Sequence, residues 1–474
     1  MEFFKIYSLN IAFLLLLVYY IKGLFNKSGE KMKKRTRRQK AILKRRIFLS
    51  FASIVLVALL GIFVYIGKSL LTDNDNNDKT PSNSQGENTE TEKQDFESRV
   101  TILSTGDIMV HSTQLDGAKV KGTNEYDFSA FFKETAPYFK KADLSVANLE
   151  VTFGGTAAGA YRGYPSFNTP DSLADAIKES GLSFLLTANN HSYDTGFDGL
   201  IRTAQVLKER NIEFIGTRET EQDSIYTVKD INGIKIGMAN FTYSTYNSST
   251  GVKALNGLSM KKEANELVST FSYDRLDEFY TNAENTISDM KQKGAEFIVF
   301  YMHWGNEYWY DTVSTYQKTI AQELSNLGVN IIIGSHPHVI EPIDLIYSED
   351  GENTTVCVYS TGNAVSNQRQ ELMDSCPTGH TEDGMLFYYT LHKKNDTVTL
   401  ESVDVIPTWV NKYKGGSGYQ YTIYPLENED FGSTYSLDST TLTKSKKSYN
   451  RTKALLQEGL TEVQKHLGCE ITFK

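Results

Sequence analysis

Eight histidines occur in 474 residues. Five of them stand at or just beyond the end of a short apolar run. NIIIGSHPHVIEP (330–342) carries His336 and His338, one residue apart. FIVFYMHWG (297–305) ends in His303 and SFLLTANNH (183–191) in His191, and His111 follows VTILSTG (100–106). The same places hold Asp107, Asn148, Glu150, Asn190, Asp194 and Glu307. His380, His392 and His466 fall elsewhere. Imidazole and carboxylate together are the donors of Zn, Mn or Fe sites. The candidates outnumber the four ligands of a single structural zinc. Two ions sharing a bridging carboxylate would use them, and such pairs clamp the attacking and leaving oxygens of in-line displacement at phosphorus. Taken singly, each residue has a plainer reading. A strand-end Asp is often a helix N-cap, and Asn-Asn-His can be a turn bonded to its own backbone. Independent caps have no reason to gather His, Asp, Glu and Asn at one sheet edge. On an extended backbone the side chains of His336 and His338 would alternate sides. Gly334 and Pro337 are expected to bend the turn, so that each imidazole reaches a different ion.

The elements that must position these residues follow from the pattern. Apolar runs at 100–106, 143–150, 183–191, 297–305 and 329–338 alternate with helix-period segments at 129–141, 171–180, 197–210, 276–293 and 314–327. That alternation predicts an α/β domain with a largely parallel sheet, and such sheets build sites at the carboxyl ends of their strands. Three later runs, 355–362, 384–393 and 397–406, have no helix between them and are expected to pair antiparallel. Residues 444–466 predict a terminal helix.

Charge divides the chain. Residues 1–71 carry 14 Lys and Arg against two acids, leaving 35 basic and 56 acidic residues beyond. The acidic part excludes nucleic acid as a partner, since that ligand rewards basic faces. Residues 47–67, IFLSFASIVLVALLGIFVYIG, are 21 uncharged and mostly apolar residues, long enough to span a bilayer as a helix. Residues 7–21 are shorter and read as a second span, an interfacial segment or a stretch upstream of a start at Met32, where MKKRTRRQKAILKRR resembles the basic start of a signal anchor. Residues 27–46 hold eleven Lys and Arg and one Glu. Beside a membrane helix such a run is positive-inside, which places it in the cytoplasm and residues 68 onward outside. No small-residue cleavage site follows the apolar run, so an anchored protein is expected. Residues 72–98 hold almost nothing apolar and predict a disordered tether. Cys357, Cys376 and Cys469 show no metal-finger spacing, and their odd number excludes complete internal pairing.

GDIM, ANLE, NNHSYDTG, HWGNEY and GSHPHV, in that order over about residues 100–370, resemble the CapA-type poly-γ-glutamate (capsule) synthesis proteins of the calcineurin-like metallophosphatase superfamily. YSTGNAVSNQ (359–368) resembles the family's closing strand and turn. The resemblance implies a four-layered α/β/β/α sandwich over residues 99–410, with 411–474 as a C-terminal extension packed on it. It implies two divalent ions (Mn, Fe or Zn). Asp107 and His338 would bind the first, Asn190, His303 and His336 the second, and Glu150, or Asn148 in its place, would bridge them. His111 stands four residues after Asp107, where the superfamily has Asp-x-His, and is either a further ligand or a polar neighbour. His191 would act on the leaving group or the phosphate, positioned by Asp194. The implied partners are the lipid bilayer, an anionic polymer or phosphoester substrate, and other membrane polymer-synthesis subunits. A different class of function, a non-catalytic scaffold subunit of such a complex, fits the same fold.

Overall fold

The computed structural model describes residues 96–473 apart from 416, 417, 429 and 471. The expected anchor (1–71) and almost all of the expected tether (72–98) lie outside the described residues. Among the described residues no helix is long and apolar enough to cross a membrane.

Two large sheets face each other. The first has eight strands and runs Tyr419–Pro425, Thr397–Lys414, Asp383–Lys394, Glu97–Ile108, Leu144–Leu149, Phe184–Leu186, Glu213–Ile215, with Asn363–Val365 also paired to the 97–108 strand. The second has seven and runs Thr270–Phe271, Ile234–Tyr243, Phe297–His303, Ile331–Ser335, Thr354–Thr361, Ile340–Tyr347, with Tyr226–Ile231 paired to the 234–243 strand. A separate three-stranded sheet spans Thr245–Asn247, Val252–Leu255 and Leu258–Ser259.

The near-continuous apolar runs are what a strand covered on both faces requires. Successive residues point to opposite sides. Phe297, Val299 and Tyr301 join a core between the sheets, where they meet Val100, Ile102 and Val146. Ile298 and Phe300 point away, under Phe279, Ile287, Ile320 and Leu324 of the helices Leu276–Gln292 and Thr315–Asn326. On the far side, Leu103, Ala147 and Leu185 lie beneath Phe132, Phe139, Leu173, Ile177 and Leu207 of a second helical layer. The order is therefore helix, sheet, sheet, helix.

The expected helices appear with two adjustments. Residues 129–141 divide into Ser129–Phe132 and Ala136–Lys141, because Pro137 fits a first turn but not a helix interior. The terminal helix is longer, Ser439–Leu467, starting where the Asp438 carboxylate accepts from the Thr440 and Thr441 N–H groups. The expected boundaries also shift. Glu97 and Ser98, assigned to the tether, pair with Lys394 and Lys393 as the first rungs of a strand. The boundary at 410 falls inside the strand Thr397–Lys414, whose residues 408–414 pair with 419–425. Leu456, Leu460 and Val463 of the terminal helix enter the core between the sheets. Residues 411–474 thus complete the fold; they are not an appendage to it.

Candidate metal centre

Parallel pairing brings the carboxyl ends of five strands to one edge. Asp107 lies in register with Asn148 on one neighbour and Asn363 on the other. His303 lies in register with Ser335. Register supplies more than proximity, because those same neighbours hydrogen-bond the candidate ligands. The Asn148 amide donates to Asp107 Oδ1 at 2.8 Å and to Glu150 Oε2 at 3.1 Å. Ser335 Oγ lies 3.0 Å from His303 Nδ1. Asn363 Oδ1 lies 3.2 Å from His338 Nδ1, and its amide donates to Gln368 Oε1, the His338 carbonyl and the Thr381 carbonyl.

Glu150 is at the centre. It is fully buried, and its Oε1 has no hydrogen-bond partner. That oxygen lies 3.7 Å from His303 Nε2 and 3.7 Å from His338 Nε2. Two sets of buried donors share this carboxylate: Glu150 with His336 and His338, and Glu150 with Asp107 and His303. Within each set the potential ligand atoms lie within 4.8 Å of one another. The sets exchange His303 and His338 relative to the assignment implied by the resemblance, His303 joining Asp107 and His338 joining His336, although His338 Nδ1 also stands 3.2 Å from Asp107 Oδ2. Asn190 Oδ1 lies 2.8 Å from His303 Nε2. Adjacent ligands about 2.1 Å from one ion are separated by about 3 Å, so this pair is spaced as neighbouring ligands.

The electrostatics ask for a cation. Among the described residues, the ion-pair partners of Asp107 and Glu150 are histidines alone. Burial first, then the Asp107 charge, pushes the Glu150 carboxyl well above its usual range. Burial holds His303 and His336 well below theirs, which keeps both imidazoles neutral, the form that ligates. His336 Nδ1 is buried and unpartnered. An orphaned carboxylate oxygen and an orphaned imidazole nitrogen in one buried cluster fit divalent ions, which would invert the pKa logic of the site.

The His-Pro-His turn is made differently from the expectation. Gly334 belongs to the strand, and its role is space. A Cβ there would sit 1.8 Å from the Tyr359 carbonyl oxygen and 2.5 Å from Trp304 Nε1. The bend lies in the histidines, with φ of 98° at His336 and 57° at His338. Non-glycine residues held there cost about 1–3 kcal/mol each. Here the strain directs both rings inward. Tyr308 N–H donates to the Pro337 carbonyl at 2.8 Å and fixes the turn from above.

His191 belongs to neither donor set. Its Nδ1 lies 2.7 Å from Asp194 Oδ2, which also accepts from Phe167 N–H at 2.6 Å. Asn189 ties this loop to the cluster. Its amide donates to Asn148 Oδ1 and the Leu149 carbonyl, and its Oδ1 accepts from His191 N–H. Asn148 does not stand in for the bridging carboxylate; its amide donates to two carboxylates. His111 is likewise outside both sets. The strand ends at Ile108, Met109 and Val110 turn into the core, and His111 begins the helix Ser112–Ala118. Its Nδ1 lies 3.2 Å from Gln114 Oε1 and 3.3 Å from Asn367 N. Sequence reasoning missed Ser335, Asn363 and Tyr243, whose ring lies 4.8 Å from His336. Asn363 carried the usable signal, a polar residue directly after the apolar run 355–362.

Comparison with known proteins agrees with the motifs. The chain is 27% identical over 314 residues to the capsule biosynthesis protein CapA of Bacillus anthracis, covering 65% of this chain and 67% of that one. It is 27% identical over 433 residues to the PGA biosynthesis protein CapA of Bacillus subtilis, covering 88% and 98%. A solved calcineurin-like phosphoesterase, YfkN from Bacillus subtilis, aligns over 75% of this chain and 99% of its own at 14% identity, with a TM-score of 0.37. At that score the likeness by itself says nothing about activity. The sequence profile of the bacterial capsule synthesis protein PGA_cap matches residues 101–368, more than half of the chain, and the chain belongs to that family.

Proposed function

We propose that this protein is a membrane-anchored, extracytoplasmic capsule or polyglutamate synthesis protein whose strand-end centre binds two divalent ions and hydrolyses a phosphoester or related bond. The observation that carries the reading is Glu150, a buried carboxylate shared by two donor sets and left with an unpartnered oxygen. Asp107, His303 and Asn190 would hold one ion and His336 and His338 the other, with Glu150 between them. Bound there, the ions would supply a water of lowered pKa and polarise the oxygen of the bond to be broken.

The chain's own residues do the rest. Asn148 keeps both carboxylates turned inward, and Ser335 and Asn363 set the rings of His303 and His338. Asp194 accepts from His191 Nδ1–H, which orients the imidazole; with Nε2 also protonated, His191 would give that second proton to the departing oxygen and return to the neutral ring with Nδ1–H on Asp194. Phe167 packs edge-on against His191 at 4.8 Å and keeps water from that face of the ring. The charge asymmetry about residues 47–67 supports the anchored, outward-facing topology, and the family supports an anionic polymer and other membrane synthesis subunits as partners.

The test is hydrolysis of bis-(p-nitrophenyl) phosphate by the full-length chain in detergent, supplied with Mn. The reading expects turnover that His191→Ala lowers by about 100-fold or more with metal content unchanged. No turnover from metal-loaded wild-type protein would leave the scaffold reading in its place.

A further inference from the structure

The loop after the Phe297–His303 strand holds one side chain whose setting the ligand geometry does not explain. Trp304 N–H donates to the Ser335 carbonyl at 3.1 Å and Gly305 N–H to Tyr273 OH at 2.9 Å, which fixes the start of the loop. Asn306, Glu307 and Trp309 are exposed, whereas Tyr308 among them is half-buried. Its φ is 70°. Bulky residues are rarely held in that region, and where they are the strain commonly serves a site. The Tyr308 N–H bond to the Pro337 carbonyl uses the main chain alone. It gives no reason for a phenol.

The phenol is built into the surroundings of a ligand. Its ring centre lies 6.1 Å from that of His338. Gln368 Nε2 donates to Tyr308 OH at 3.4 Å, Gln368 Oε1 accepts from the Asn363 amide at 2.9 Å, and Asn363 Oδ1 lies 3.2 Å from His338 Nδ1. One hydrogen-bonded path therefore sets both the phenol and the imidazole beside it. A hydroxyl has one hydrogen and two lone pairs. Gln368 takes a lone pair and leaves the hydrogen to be donated. Burial first, then Glu307, Tyr164 and Glu150, raises the phenol above its usual range, so it stays a donor. Glu307 takes the hydrogen in the resting chain. That carboxylate is exposed, so water receives it when another oxygen replaces it.

We infer that Tyr308 is a catalytic residue of this centre, its phenol donating a hydrogen bond to a non-bridging oxygen of the phosphoryl group during displacement. The inference rests on the proposed hydrolysis for the reaction itself. An ion lies about 2.1 Å from a ligating nitrogen, so a ring packed on His338 is within reach of a group held at the same ion. In the step, a water oxygen bonds to phosphorus and the ester P–O bond breaks. The departing oxygen takes a proton from His191, and the proton lost by the water passes to solvent, from which His191 is recharged. Tyr308 keeps its own proton. Its part is to meet the charge that gathers on the non-bridging oxygen with a donor already fixed in place, which is where such donors contribute most.

The experiment compares full-length wild type and Tyr308→Phe, purified in detergent and loaded with Mn. The substitution keeps the ring on His338 and the N–H bond to Pro337 and removes the hydroxyl alone. For bis-(p-nitrophenyl) phosphate, kcat is expected to fall about 100-fold with KM within about twofold, and with Mn content and Tm unchanged. Orthovanadate, which adopts the five-coordinate form of the reacting phosphorus, is expected by calorimetry to bind the variant about tenfold more weakly or worse, and inorganic phosphate within about threefold of wild type. Equal kcat or equal orthovanadate affinity in the two proteins overturns the inference. A fall in kcat that accompanies loss of Mn or a lower Tm makes Tyr308 structural and also overturns it. A fall with diphenyl phosphate but not with bis-(p-nitrophenyl) phosphate moves the phenol to the departing oxygen and overturns the assignment made here. Wild type that holds Mn without turnover overturns the hydrolytic reading and Tyr308 with it, whereas turnover by wild type and variant alike removes Tyr308 alone.

Discussion

Asn148→Leu tests whether register-supplied hydrogen bonds hold the centre. The substitution keeps approximate volume and removes one amide. Asp107 loses a donor at 2.8 Å and Glu150 one at 3.1 Å. The bond to Asp107 goes to a buried charged group and is worth about 1.5–3 kcal/mol. Without metal, burial favours the neutral form of Glu150, so its bond is worth about 1 kcal/mol. Asn189 loses Asn148 Oδ1 but keeps the Leu149 carbonyl at 2.8 Å, a smaller loss. The sum is about 2.5–4 kcal/mol, which in a fold of this size lowers Tm by about 3–5 °C. Second-layer hydrogen bonds to ligands are worth about 10–100-fold in metal affinity. Chelated and Mn-titrated samples of the full-length chain, followed by thermal unfolding and by Mn binding, measure both effects. A variant that unfolds at the wild-type temperature and binds Mn within twofold of wild type would refute the reasoning.

Further outcomes follow from other residues. Asp194→Asn still offers one oxygen to both Phe167 N–H and His191 Nδ1–H but removes the negative charge beside the imidazole; kcat should fall about 100-fold in steady-state kinetics, with metal content unchanged. Glu341 is buried, holds Gln317 Nε2 at 2.6 Å and has its carboxyl pushed up to about 8 from an ordinary 4.5 by burial. The native carboxyl keeps its proton in that range while the unfolded one releases it, so stability falls as pH rises from about 4.5 to about 8. Glu341→Gln should therefore raise Tm more at pH 8 than at pH 5, and equal shifts at both would exclude this origin. Leu460 is fully buried between the sheets. Leu460→Ala should cost about 2–5 kcal/mol in thermal or denaturant unfolding, and a chain ending at residue 410 should not fold.

The centre was legible because parallel strands deliver their carboxyl ends to one edge, and His336, His338, His303 and Glu150 sit directly after strong apolar runs. The layers were legible for the same reason, since runs such as FIVFYMH have both faces covered. What was not legible depends on partners distant in sequence. Gly334 looks like a bend in the sequence, but only the neighbouring Tyr359 carbonyl shows that it is a gap. His111 and Asp107 are four residues apart, and nothing local says that Met109 and Val110 turn into the core between them. The strand Ile234–Tyr243 was missed because its partners, Tyr226–Ile231 and Phe297–His303, bracket it without the expected helix on each side. The boundary at 410 was misplaced because a change of composition in an edge strand resembles the end of a domain, whereas pairing with Tyr419–Pro425 carries the sheet through it.

The central claim is that one carboxylate joins two ions. The most direct measurement is divalent metal per chain, by mass spectrometry, in full-length wild-type and Glu150→Gln protein purified in detergent and reconstituted with Mn, Fe or Zn. The account predicts about two ions in wild type and loss of both in the variant, because both donor sets share Glu150. Folded wild-type protein that takes up no metal, or a variant that keeps the wild-type content, would contradict it.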